Sequence, residues 1–119
     1  MGRRSRRRGQ APMPDAPEVP YPTADGGELV LRAAMTLPTR QAYAELAPRA
    51  AGTVEDLWQR RAEFLFERLA VRWTVAGVDW EGQKELLQRF RVASQDERHA
   101  VRDALRAHLA DFFPDVEAP

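Results

Sequence analysis

The chain has 119 residues, no cysteine, and 18 basic against 18 acidic side chains. That length accommodates one domain, and the missing thiols exclude disulfides, thiolate metal sites and cysteine nucleophiles together. The neutral total hides a split: Arg3, Arg4, Arg6, Arg7 and Arg8 precede a body that keeps 13 basic and 18 acidic groups, a net charge of −5.

The best apolar stretch, Phe64 to Val78, is interrupted by Glu67, Arg68 and Arg72, so nothing here is expected to span a membrane. The proline-rich, polar residues 10–22 do not make the apolar core of a signal peptide, and a cytoplasmic location is the expectation. A single lysine against 17 arginines, with no isoleucine or asparagine, points to GC-rich codon usage and a bacterial source. Arginine in place of lysine is therefore no sign of selection for bidentate recognition.

In chain order, residues 1–22 read as a disordered basic arm. Like charges repel, and Pro12, Pro14, Pro17, Pro20 and Pro22 oppose helix and sheet alike. Asp25-Gly26-Gly27 signals a turn, and Glu28 to Arg32 alternates as a half-buried strand with Leu29 and Leu31 on one face. Its hairpin partner is Val19 to Thr23, restricted to an edge by its prolines.

Helices are expected for the rest. The first runs from about Pro38 to Leu46, with Thr36 as its cap. The longest opens at Thr53 with Asp56 three residues on, and continues through Ala76 to a stop at Gly77. Asp79 is the expected cap of a third helix, from Trp80 to about Val92. Ser94 and Glu97 make a capping box for a fourth, which Pro114 ends, and residues 116–119 are expected to fray. The fold class implied is mainly α: about four antiparallel helices with a short N-terminal β-hairpin, in a single domain over 23–115.

On a wheel of about 100° per residue, the long helix carries two apolar faces separated by a stripe of Arg61, Arg68 and Arg72. Two readings are open. The heads snorkel to water or pair with Glu85, Asp111, Asp115 or Glu117; or they form a site for an anion or an acidic partner. The two apolar faces make the 54–76 helix either the centre of the domain or a homodimer interface.

Arg98, Arg102 and Arg106 have the spacing of a phosphate-facing ridge, but Asp96 and Asp103 beside them favour a solvated face. A helix–turn–helix is disfavoured by Leu87 and Arg91 at positions that want small residues. His108 lies on an apolar face as a hydrogen-bonded core residue. Glu63 and Glu67 read as solvated, and Asp96 with His99 lacks the second pair that a metal site in a bundle needs. Tyr21 and Tyr43 are the aromatics expected at the surface.

No catalytic constellation, metal site or cofactor motif is visible. The expectation is a non-enzymatic binding or adaptor protein, attached to an acidic protein partner through its arginine-rich arm. The alternative is a nucleic-acid- or ribosome-associated accessory protein, with the same arginines on phosphates.

Overall fold

The computed structural model describes residues 16–46 and 54–119. The elements run β1 (Glu18–Pro22), β2 (Glu28–Arg32), α1 (Leu37–Ala44), α2 (Val54–Leu69), β3 (Ala70–Val75), β4 (Val78–Glu81), α3 (Gln83–Arg91) and α4 (Gln95–Phe112). The four strands form one antiparallel sheet in the order β1-β2-β3-β4, with α1 and α2 inserted between its middle strands.

This overturns the expected helical bundle with a short hairpin. The sheet is central, and β1–β2 is only half of it. The expected helix to Ala76 stops at Leu69, because the next six residues, Ala-Val-Arg-Trp-Thr-Val, favour a strand. Ala76 and Gly77, which read equally well as a helix stop, have φ of 51° and 80°. Both are left-handed, as the two-residue turn of a tight hairpin requires. Trp80, expected in the third helix, pairs with Trp73 across that hairpin. Gly82, not Asp79, precedes α3, with no side-chain cap.

Strand register assigns the faces. Leu29, Trp73 and Trp80 lie side by side on the face covered by helices. Glu18, Pro20, Pro22, Asp79 and Glu81 alternate with that set and are exposed. β1 and β4 are the edges. Proline cannot donate to a ladder, so Val19 and Tyr21 supply the strand bonds to β2, and Pro20 and Pro22 leave the free edge short of donors. Asp79 and Glu81 guard the other edge with charge.

The core lies between sheet and helices. Phe66 stacks on Phe90 at 4.8 Å and meets Trp73 edge-on at 5.2 Å. Leu29, Leu31, Leu65, Leu69, Leu105 and Leu109 close around them. Each such side chain withdrawn from water contributes about 1.5–3 kcal/mol.

Local caps agree with the chemistry of their residues. Thr36 accepts from the Thr39 amide at the start of α1, and Ser94 and Glu97 form a reciprocal capping box on α4. Thr53, the expected cap of α2, lies outside the described residues, as do residues 1–15 of the expected arm. The arm's last five residues are β1 itself.

Two further placements differ from expectation. In the segment 116–119, Val116 and Ala118 pack on the core and Pro119 is buried. Tyr43, expected at the surface, is buried against Phe64.

Candidate functional site

Of the arginines singled out by sequence, Arg3, Arg4, Arg6, Arg7 and Arg8 lie outside the described residues. Arg61, Arg68 and Arg72 do not form a stripe. Arg61 and Arg68 are on α2, but Arg72 is on β3, on the open face of the sheet, where its Nη2 donates to Glu28 Oε1 at 3.3 Å. Arg68 lies over the Phe64 ring at 3.9 Å and pairs with neighbouring Glu67. Arg61 donates to Glu117 Oε1 at 3.1 Å and to the Leu46 carbonyl at 3.4 Å, with its guanidinium 5.9 Å from the centre of the Tyr43 ring.

The same absorption of charge recurs across the body. Arg40 pairs with Asp115, Arg60 with Asp56, Arg89 with Glu97 and Arg91 with Glu63. The Arg89 guanidinium holds the Glu97 carboxyl below its usual range, against an opposing effect of burial. Arg98 bonds Gln59 and the carbonyls of Arg91 and Ala93, so the ridge on the fourth helix is folded inward. Its other members, Arg102 and Arg106, both donate to the main-chain oxygen of Pro119, at 3.2 and 2.8 Å.

These contacts outline a site that the sequence reading missed. After a turn at Pro114–Asp115, the chain returns to Pro119 as a strap that contacts α1, α2 and α4. Asp115 meets Arg40, the Glu117 carboxylate meets Arg61, and the Glu117 carbonyl accepts from the Tyr43 hydroxyl. Burial pushes the Tyr43 phenol up to about 12; Arg61 opposes this and Glu117 adds to it. On the α2 side of the strap, Trp58 Nε1 and Arg61 Nε are buried donors with no hydrogen-bond partner among the described residues. They sit one helical turn apart on α2, and the Arg102 guanidinium lies 4.6 Å from the centre of the Trp58 ring. The signal was present in Asp115-Val116-Glu117-Ala118, whose acids meet the arginines while its small apolar residues pack on the core.

Other candidates resolve into structure. His108 is fully buried; its Nε2 lies 2.9 Å from the Arg32 carbonyl, which only accepts, so Nε2 carries the proton. Nδ1 therefore accepts from the Tyr21 hydroxyl at 2.8 Å. Burial lowers the His108 pKa, opposed by its bond to Arg32 and by the charge of Asp111. Both ring nitrogens are occupied, which leaves neither for proton transfer to a substrate. A cleft of about 40 Å³ between Thr23, Asp25, Trp73 and Glu97 has room for no more than a few waters.

Among the described residues, no group of three or more histidine or acidic side chains is placed to hold a metal, and no helix is long and apolar enough to cross a membrane. The large exposed apolar residues among those described, Leu37, Val54, Val78, Val92 and Phe112, come from different parts of the chain. Most of both expected apolar faces is used within the protomer. Trp58, Ala62, Leu65 and Leu69 are buried while Val54 is exposed, Phe64 packs on Tyr43, and Val71 and Val75 belong to β3. Comparisons of the chain with protein-family models, with curated proteins and with solved structures found no match in any of the three.

Proposed function

We propose that this is a non-enzymatic binding or adaptor protein, in which the arginines at 3–8 supply electrostatic attachment to an acidic partner and the folded body supplies the specific surface. The observation that carries this reading is the fate of the body's own arginines. Among the described residues, all but Arg32 donate through their side chains to a carboxylate, a side-chain amide or a main-chain oxygen, whereas Glu18, Asp25, Glu81, Asp96 and Asp103 form no salt bridge. Long-range attraction to a polyanion then rests on the five arginines near the start, and the body's net negative charge opposes close approach to a phosphate backbone.

The test compares the full chain with a variant carrying R3Q, R4Q, R6Q, R7Q and R8Q, titrated against labelled polyglutamate, duplex DNA and RNA over a range of salt. The expected result is binding to polyglutamate that the variant loses. Retention of DNA or RNA with a log–log salt slope of about 4–5, lost in the variant, moves the reading to a nucleic-acid accessory role. Undiminished binding by the variant, or no binding by either protein at physiological salt, overturns electrostatic attachment.

A further inference from the structure

The groove beneath residues 115–119 offers more than its occupant uses. Glu117 engages only Nη2 of Arg61, while the adjacent Nε–H, the other prong of the fork that grips a carboxylate side-on, is buried and has no acceptor among the described residues. Trp58 is 4 % exposed, and its indole N–H likewise has no acceptor among the described residues. Native structures hold few such orphans, and two lie within one turn of the same helix here. At the far end, Arg102 and Arg106 converge on a single main-chain oxygen.

The strap is also lightly held by its charges. The side chains of Asp115 and Glu117 remain 73 % and 76 % exposed, so their ion pairs contribute little. A donor-rich, partly apolar groove filled by a segment that leaves its buried donors unsatisfied fits a peptide ligand better than a closed core.

We propose that this groove is a docking site for an acidic–apolar peptide segment of a partner protein, and that residues 115–119 are its intramolecular occupant. The partner segment has the chemistry of the strap itself: acidic residues alternating with small apolar ones. It adds a carboxylate lying side-on to Arg61 and an acceptor within reach of the Trp58 indole. Because the strap competes at the high effective concentration of a tethered ligand, the intact protein binds such a peptide weakly, and loosening the strap raises the affinity. The inference shares with the proposed function only the view that this is a binding module; the arginines at 3–8 take no part in it.

The experiment adds a fluorescein-labelled peptide of sequence Phe-Pro-Asp-Val-Glu-Ala-Pro to the full chain and to its D115N/E117Q variant. Both substituted side chains are exposed, and melting curves of the two proteins confirm folding. The variant is expected to bind about fivefold tighter than the unaltered chain, with the gain abolished by adding R61Q. A peptide with lysines in place of its two acids does not bind.

In the amide spectrum of nitrogen-15-labelled protein, the Trp58 indole resonance moves on titration while those of Trp73 and Trp80 stay in place. Equal affinity in the two proteins, affinity that survives R61Q, or an unmoved Trp58 resonance at millimolar peptide overturns the proposal. The variant lacking the arginines at 3–8 is expected to bind the peptide as the full chain does, so failure of electrostatic attachment and failure of the groove are read separately.

Discussion

Replacing Ala76 with asparagine tests the architecture itself, because the two readings of this segment predict opposite signs. In the hairpin, Ala76 sits at φ 51° with its side chain exposed, so the substitution changes backbone preference with little packing. A left-handed conformation costs a non-glycine L-residue about 1–2 kcal/mol, and asparagine tolerates it better. Asn-Gly is moreover the preferred pair for a turn with two left-handed residues. The expected gain is about 0.5–1 kcal/mol. With a urea m-value of roughly 1–3 kcal/mol/M, this moves the midpoint up by about 0.2–1 M. Had residues 54–76 formed one helix, the same change would replace the best helix former in its last turn and cost up to about 0.7 kcal/mol. Urea unfolding followed by tryptophan fluorescence and far-ultraviolet circular dichroism reads the sign directly. A lower midpoint at unchanged m refutes the hairpin.

The part-buried Tyr21–His108 contact gives two expectations. Tyr21→Phe leaves Nδ1 of His108 without its donor and costs about 1–3 kcal/mol, measured by urea unfolding at neutral pH; a loss within error would mean that the bond contributes nothing. Because burial depresses the folded pKa of His108 below 6.5, the unfolded chain takes up the proton first as pH falls. This contribution to stability is complete above pH 6.5 and is lost as pH drops from there through the folded value. H108Q should flatten the stability profile over that window, and an unchanged slope would assign the titration elsewhere. Gly27→Ala drives a Cβ against the Thr74 carbonyl oxygen and within 2.7 Å of Thr23 Oγ1. The expected loss is about 1–3 kcal/mol in the same assay, and a neutral outcome would mean that the turn yields there.

How far the fold could be read depended on whether a segment carried its own punctuation. The β1–β2 hairpin had the Asp25-Gly26-Gly27 turn between alternating strands, and α4 had Ser94 and Glu97 at the spacing of a capping box. The 70–81 hairpin was hidden because α2 runs into β3 without an intervening residue. Apolar residues at 65, 69, 73 and 76 kept helical spacing past the true boundary, and an Ala-Gly turn imitates a helix stop. Periodicity cannot locate such a join. The signal that overrides it is composition, with Val71, Trp73, Thr74 and Val75 in six residues and alternation resuming across the turn in Val78-Asp79-Trp80-Glu81.

The site was legible in its parts and not in its assembly. Glu117 and Asp115 stood among the expected partners of the arginines, and Arg61 and Arg40 are the side chains they meet. What a helical wheel could not supply was the third dimension. Arg72 leaves for the sheet, and a segment expected to fray closes over α2.

Six arginines of the body, Arg40, Arg61, Arg68, Arg89, Arg98 and Arg102, lie over aromatic rings while their heads reach an oxygen. Each such contact contributes about 0.5–1 kcal/mol where water has access. The stems and planes roof the core, and the forks are committed to internal acceptors. An arginine-rich sequence is therefore compatible with a body that presents little free positive charge. Arg61 differs from the other five in keeping a buried donor unmade. The proposed peptide docking rests on that donor, and the proposed electrostatic attachment on the arginines at 3–8.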